Sequence, residues 1–205
     1  MDIWSVKEAV VDRMYERFGF QLEPSWTVVD LGAAIGEFAI FAAANSVARV
    51  LAFEPLPGSF SLLRENLALN QIENVEVFEL AVSDVAGAAR LDTSGEPLRM
   101  GTRSDTAQYV EVRAITLAEV LELAGGEIDL LKIDCEGAEY EILMSSSGSV
   151  LNRIHRIVLE YHDHRADVRH GDLVRYLSAA GFSVEVFPNV AHPTEIGYLR
   201  AARLA

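Results

Sequence analysis

Between Val28 and Phe38 the chain runs V-V-D-L-G-A-A-I-G-E-F, with a carboxylate, Asp30, two residues ahead of Gly32 and a second glycine at Gly36. An apolar run, a glycine turn and a helical start in that order form a strand–turn–helix unit. Gly32 lets the backbone approach a ligand closely, and Gly36 opens the turn into the helix. The turn through Ala33 leads to a helix start whose N–H groups are unpaired and carry a partial positive charge. A dinucleotide site would need G-x-G-x-x-G so that a pyrophosphate can rest there. Here Ala34 occupies the middle position and the spacing is D-x-G-x-x-x-G. Asp30 would repel a pyrophosphate, yet it can accept hydrogen bonds from a ligand bearing an ammonium group and hydroxyls. A tight turn with a capping Asp is the plainer alternative.

Two further segments carry chemistry. In V-L-A-F-E-P, Glu54 ends the second strand roughly 20 residues beyond the first motif, where a carboxylate binds both hydroxyls of a ribose; Pro55 follows it. In D-L-L-K-I-D-C-E-G-A-E, residues 129–139, period-2 geometry puts Lys132 and Asp134 on one side of a strand with Asp134 at its carboxyl end. The strand I-V-L-E-Y-H, residues 157–162, likewise aims Glu160 and His162 one way. Asp30, Glu54, Asp134 and Glu160 should therefore gather at the sheet edge where open α/β sheets bind ligands. Buried carboxylates need partners, and Lys132 is a candidate, unless it snorkels to solvent and Glu160 merely caps a turn. His162-Asp163-His164 invites a metal reading, but neighbours on a strand face opposite ways and the helical i, i+4 histidine pair is absent. Asp134 and Glu136 can hold Mg²⁺, yet nothing in the sequence fixes a third ligand, so no metal is expected.

The elements that must position these residues alternate. Residues 6–18 have a helical period closed by Gly19. Strands are expected at 27–31, 49–53, 75–80, 128–133 and 154–161, with helices at 37–44, 59–70 and 138–144 between them. A helix at 172–180 closes on Gly181, and strands at 182–187 and 196–201 finish the chain. Such alternation means βαβ units and a mostly parallel sheet with helices on both faces, and the near-continuous apolar runs fit strands covered on both sides. Residues 88–92 and 109–115 break the rhythm as an inserted β pair. The polar stretch between them carries Arg99, Arg103 and Asp105, candidate contacts for a substrate, with a solvated loop as the alternative.

Composition narrows the classes. Half of the 205 residues are apolar, enough for one domain without staples: a helix and lead-in over 1–25, then the main unit over 26–205. The single cysteine, Cys135, has no internal partner and fits a reducing compartment. The first residues lack a signal peptide's basic start and apolar core, so a cytoplasmic protein is expected. A formal net charge of −14 repels nucleic acid and anionic lipid. A small or neutral partner is favoured, and the N-terminal helix is a candidate lid or homodimer contact.

The runs VVDLGAAIGEFAIFAA, AFEPLPGSFSLLRENLALN, IDLLKIDCEGAEYEIL and IVLEYH, within about residues 26–162, resemble the FkbM family of class I methyltransferases. KIDxEGxE with EPxP is the specific part; D-x-G-x-x-x-G marks class I enzymes in general. The resemblance implies a Rossmann-like α/β fold whose seven-stranded, mostly parallel sheet ends in an antiparallel strand. It implies S-adenosylmethionine as cofactor, a molecule with an α-amino group, a ribose and a cationic sulfur but no phosphate. It also implies O-methylation of a hydroxyl on a sugar or small secondary metabolite. Carried over by position, Asp30, Gly32, Ala33 and Gly36 would line the methionine and ribose portion, Glu54 and Pro55 the ribose, and Ala81 and Val82 the adenine, with Ser83 and Asp84 nearby. Asp134 and Glu136 match the acidic pair beside the transferred methyl. Asp134 and His162 are the candidate bases, and Glu136, Glu160, Arg99 and Arg103 the candidate acceptor contacts. A protein or nucleic-acid methyltransferase, or a non-catalytic cofactor-binding subunit, is the competing class. Ala34 stands where the family often has Asn.

Overall fold

The computed structural model describes residues 13–45, 47–92, 109–163, 168–189, 192 and 194–203. Its frame is a seven-stranded sheet built from β1 (Thr27–Leu31), β2 (Arg49–Phe53), β3 (Val75–Phe78), β7 (Leu130–Ile133), β8 (Arg156–His162), β9 (Phe182–Pro188) and β10 (Ile196–Arg203). The order across the sheet is β3-β2-β1-β7-β8-β10-β9. The first five are parallel where they pair, and β10 runs antiparallel to both β8 and β9. This is the expected architecture, antiparallel last strand included.

Period-2 alternation divides the sheet's side chains between two cores. Val28, Val50, Ala52, Leu130 and Val158 face one side, with α1 (Met14–Arg17), α2 (Glu37–Ala44) and α3 (Pro57–Leu69). Val29, Leu31, Leu51, Phe53, Leu131, Ile133 and Leu159 face the other, against α4 (Leu117–Leu123), α5 (Glu139–Met144), α6 (Gly148–Leu151) and α7 (His170–Ala179). Both faces are covered, so these strands carry few polar residues. Local signals set the helix starts: Pro57 takes a first-turn position in α3, and Thr116 with Glu119 forms a capping box on α4.

One strand ends earlier than its apolar pattern implies. The run 75–80 stops pairing at Phe78, because Ala81–Val82 (β4) leaves the main sheet to join Ala114 and Ile115. With β5 (Gly87–Asp92) and β6 (Tyr109–Ile115) it makes a second sheet of three strands. The inserted pair is thus anchored to the chain that follows β3. Of the expected N-terminal helix, Met14–Arg17 is described; residues 1–12 lie outside the described residues. Among the described residues no helix is long and apolar enough to cross a membrane.

Chain order reverses beside β1, whose neighbours are β2 and β7. In open α/β sheets a crevice forms at such a switch point, outside the carboxyl ends of the strands. Gly32 follows β1 there, Glu54 follows β2 and Asp134 follows β7.

Candidate functional site

A cavity opens at this edge, lined by Gly32, Glu54, Pro55, Ala81, Val82, Asp134 and Glu136 among the predicted positions. Leu56, Leu80, Leu91, Cys135 and Ala138 complete much of its wall. Its charged lining is three carboxylates, with no Lys or Arg among the described residues. Glu54 is almost fully buried. One of its oxygens accepts the Ala34 N–H at 2.9 Å, the other the Leu56 N–H at 2.8 Å. Burial outweighs these donors and pushes the carboxyl up to about 7. Two backbone donors fix its plane and leave further lone pairs for hydroxyl donors.

Beneath this surface lies an ion pair. Asp30 and Lys132 are register partners on adjacent parallel strands and share a face. Lys132 Nζ sits 2.9 Å from Asp30 Oδ1 and donates to the Gly32 carbonyl at 2.9 Å. Burial pushes the Asp30 carboxyl up, with Lys132 opposing it. Burial alone would lower the Lys132 ammonium, but Asp30 and Asp134 outweigh it and hold it above its ordinary value. Asp30 is fully buried and does not line the cavity. In this structure Asp30 holds Lys132 beneath the turn.

Ala33 and Gly36 also stay off the cavity wall. Ala33 packs into the core against α2, and a Cβ on Gly36 would strike Leu63 Cδ1 at 2.4 Å. Gly32 does line the cavity, but what demands glycine there is the neighbouring strand. At φ +74 a Cβ would come within 1.9 Å of the Asp134 carbonyl.

The loop after β7 is folded around Glu139. This fully buried carboxylate accepts the Cys135 N–H at 2.8 Å and the Gly137 N–H at 2.9 Å, and meets His162 Nδ1 at 3.2 Å. To make the turn, Glu136 takes φ +54 and Gly137 φ +113, the kind of backbone strain that collects at functional sites. Burial alone would lower the His162 imidazole. The hydrogen bond to Glu139 and the charges of Glu139, Asp134 and Glu160 raise it to about 9. At neutral pH His162 is therefore an imidazolium, with Nε2 3.8 Å from Glu136. Burial pushes the Cys135 thiol up, which makes it wall and not nucleophile.

Asp134, Glu160 and His162 converge as the strand pattern requires, offering donor atoms within 4.8 Å of one another. This trio is not the pair of Asp134 and Glu136 that the sequence offered for Mg²⁺, since Glu136 is not among its donors, and a metal on it would need His162 neutral. Arg99, Arg103, Asp105 and His164 lie outside the described residues. Sequence reasoning missed two residues. Tyr15 reaches Asp134 from α1, and the signal was a polar-tipped aromatic beside the apolar stripe of residues 6–18. Glu139 is the last residue of KIDxEGxE, and its return to the loop depends on a turn that the spacing does not announce.

The model of the methyltransferase FkbM domain matches residues 30–184. The chain belongs to the FkbM methyltransferase family. The 31-O-demethyl-FK506 methyltransferase FkbM of Streptomyces tacrolimicus is 33% identical, over 97% of this chain and 89% of that protein. The hexuronic acid methyltransferase AglP of Haloferax volcanii is 28% identical over 77% of this chain and 63% of its own length. In fold, this FkbM domain matches the crystal structure of methyltransferase FkbM from Methylobacillus flagellatus with a TM-score of 0.64 at 14% identity, over 88% of this chain and 44% of that one. It is a methyltransferase, and the family and its class I fold imply S-adenosylmethionine as the methyl donor.

Proposed function

We propose that this FkbM domain binds S-adenosylmethionine in the cavity at the β1–β7 switch point and methylates a hydroxyl of a sugar or small metabolite. The observation that carries this reading is a lining whose charged groups are Glu54, Asp134 and Glu136, with no cation among the described residues. Such a wall disfavours pyrophosphate and favours a ligand with an ammonium, a sulfonium and hydroxyl donors. Glu54 would hold the ribose hydroxyls, apolar Leu80, Ala81, Val82 and Leu91 the adenine, and Asp134 and Glu136 the cationic end. When bound, the cofactor supplies a methyl group already activated for transfer to a nucleophile.

The chain's own part is alignment and proton handling. Holding the acceptor oxygen in line with the donor supplies roughly 7–11 kcal/mol of barrier reduction. The hydroxyl proton leaves as the new bond forms, and a positioned carboxylate accepts it. Asp134 is that carboxylate, since His162 is already protonated at neutral pH. The imidazolium instead offsets the charges of Asp134, Glu139 and Glu160, so that these acids can sit together. The acceptors that the names of the two relatives indicate support a small-molecule substrate, as does the net charge of −14, which disfavours a nucleic acid.

The test is methyl transfer from labelled S-adenosylmethionine to a panel of sugars, sugar acids and hydroxylated metabolites. Turnover is expected on a member of the panel, with Asp134→Asn lowering kcat by about 10²-fold or more. Turnover on RNA or protein alone would refute the acceptor class. Chelation with EDTA should leave activity unchanged, because a histidine must be neutral to ligate; loss of activity restored by Mg²⁺ would overturn that.

A further inference from the structure

Tyr15 lies outside the matched family segment, 119 residues from Asp134 in sequence, yet its phenol donates to Asp134 Oδ2 at 2.8 Å. The ring is buried and clamped. Phe38 and Tyr198 meet it edge-on at 5.1 and 5.9 Å, and the Lys132 ammonium stands 5.3 Å over its face. Packing alone does not call for the oxygen, because a phenylalanine would fill the same space. A buried hydroxyl has to be compensated by a partner, and the partner here is the carboxylate assigned to take the acceptor's proton.

We propose that Tyr15 is a positioning residue of the methyl-transfer site: its phenol fixes the Asp134 carboxylate in the orientation from which it accepts the proton of the substrate hydroxyl. The proposal rests on the reading of Asp134 as that acceptor. A carboxylate on a single bond to its chain rotates freely unless one oxygen is held. The Tyr15 hydrogen bond holds Oδ2 and leaves the geometry of the other oxygen set by the clamped ring. Burial and the Asp134 charge keep the phenol well above its ordinary range, so it stays a donor wherever the enzyme works. The other charged or titratable groups around Asp134 include Lys132, Cys135, Glu136 and Glu139 on β7, its loop and the start of α5, Asp30 on β1, and Glu160 and His162 on β8. Tyr15 is the contribution of α1 to this set. The N-terminal helix thus completes the site within its own chain.

The experiment compares the full chain with Tyr15→Phe, using Asp labelled at the carboxyl carbon and the Asp134 signal assigned by Asp134→Asn. Loss of the hydrogen bond to Oδ2 should move the chemical shift of the Asp134 carboxyl carbon at neutral pH. At neutral pH kcat should fall about tenfold, with acceptor KM and the Kd for S-adenosylhomocysteine within about twofold of wild type. A lower Tm with an unmoved Asp134 carboxyl-carbon shift and unchanged kcat would make Tyr15 a structural tether and overturn the proposal. If Tyr15→Phe does not fold, the reciprocal measurement decides. The Tyr15 ring-carbon titration should move down in Asp134→Asn, and an unmoved midpoint would overturn the coupling. Failure of wild type to bind S-adenosylhomocysteine would count against the cofactor assignment alone, because the Asp134 carbon shift and the Tyr15 titration are both read without ligand.

Discussion

Glu54 and His162 are the residues whose protonation ties this site to pH, and both lose their contribution to stability as pH rises, in successive windows. Glu54 is raised to about 7 by burial, so the folded protein holds its proton more tightly than the unfolded chain does. Its contribution to stability is therefore lost as pH rises from the ordinary carboxylate range through about 7. The ionised form is the better acceptor for two ribose hydroxyls, so ligand binding should recover part of that loss. Calorimetry should give a Kd for S-adenosylhomocysteine about tenfold tighter at pH 8 than at pH 6, with the dependence abolished in Glu54→Gln. An unchanged Kd across that range would mean the ribose is held elsewhere. His162, raised to about 9, contributes stability that is fully present below its unfolded value near 6.5 and is lost as pH climbs through about 9. Denaturant unfolding of the ligand-free enzyme should show falling stability between pH 7 and 9.5, and the slope should flatten in His162→Gln. Equal slopes in both proteins would place the cation elsewhere.

At the scale of elements, the turn between β1 and α2 joins a residue that must be glycine to one that only ought to be. Gly32 faces the Asp134 carbonyl at a distance no side chain tolerates. Gly32→Ala adds left-handed strain to that clash and should destabilise by about 3 kcal/mol or more, read as a large fall in Tm. Ala34, two residues on, adopts φ +47 with open strain and no such clash. Ala34→Gly should stabilise by about 0.5–1 kcal/mol, the strain relieved less the entropy gained by the unfolded chain. A fall in Tm would show that the methyl group packs usefully. Much of this unit was legible, because strand, glycine turn and helix leave period and breaker signals in the residues themselves. Period 2 also placed Lys132 with Asp134 and Glu160 with His162. The pairing of Asp30 with Lys132 was harder to foresee, because it depends on which strands become neighbours. The departure of β4 from the main sheet and the backward reach of Glu139 depend on tertiary contacts that no local pattern encodes.

On the scale of the whole molecule, the cavity proposed for the cofactor draws on β1, β2, β4, β5 and the loop after β7, so a ligand there should stabilise the fold globally. S-adenosylhomocysteine at a hundredfold over its Kd should add about 2.7 kcal/mol. At roughly 2–4 °C per kcal/mol for a chain of this size, that raises Tm by about 5–10 °C. NAD should give no shift, because its pyrophosphate would meet carboxylates; a shift with NAD alone would reverse the cofactor assignment. The placement of β10 reaches further still. It is the last strand in the sequence, yet it fills the slot between β8 and β9, and its Tyr198 packs on Tyr15 near the other end of the chain. A chain whose β10 has not yet entered the sheet leaves the inner edge of β8 unpaired, an apolar strand open to self-association. The sheet, the clamp on Tyr15 and the poise of Asp134 therefore arrive together, at the moment β10 is threaded between its two neighbours.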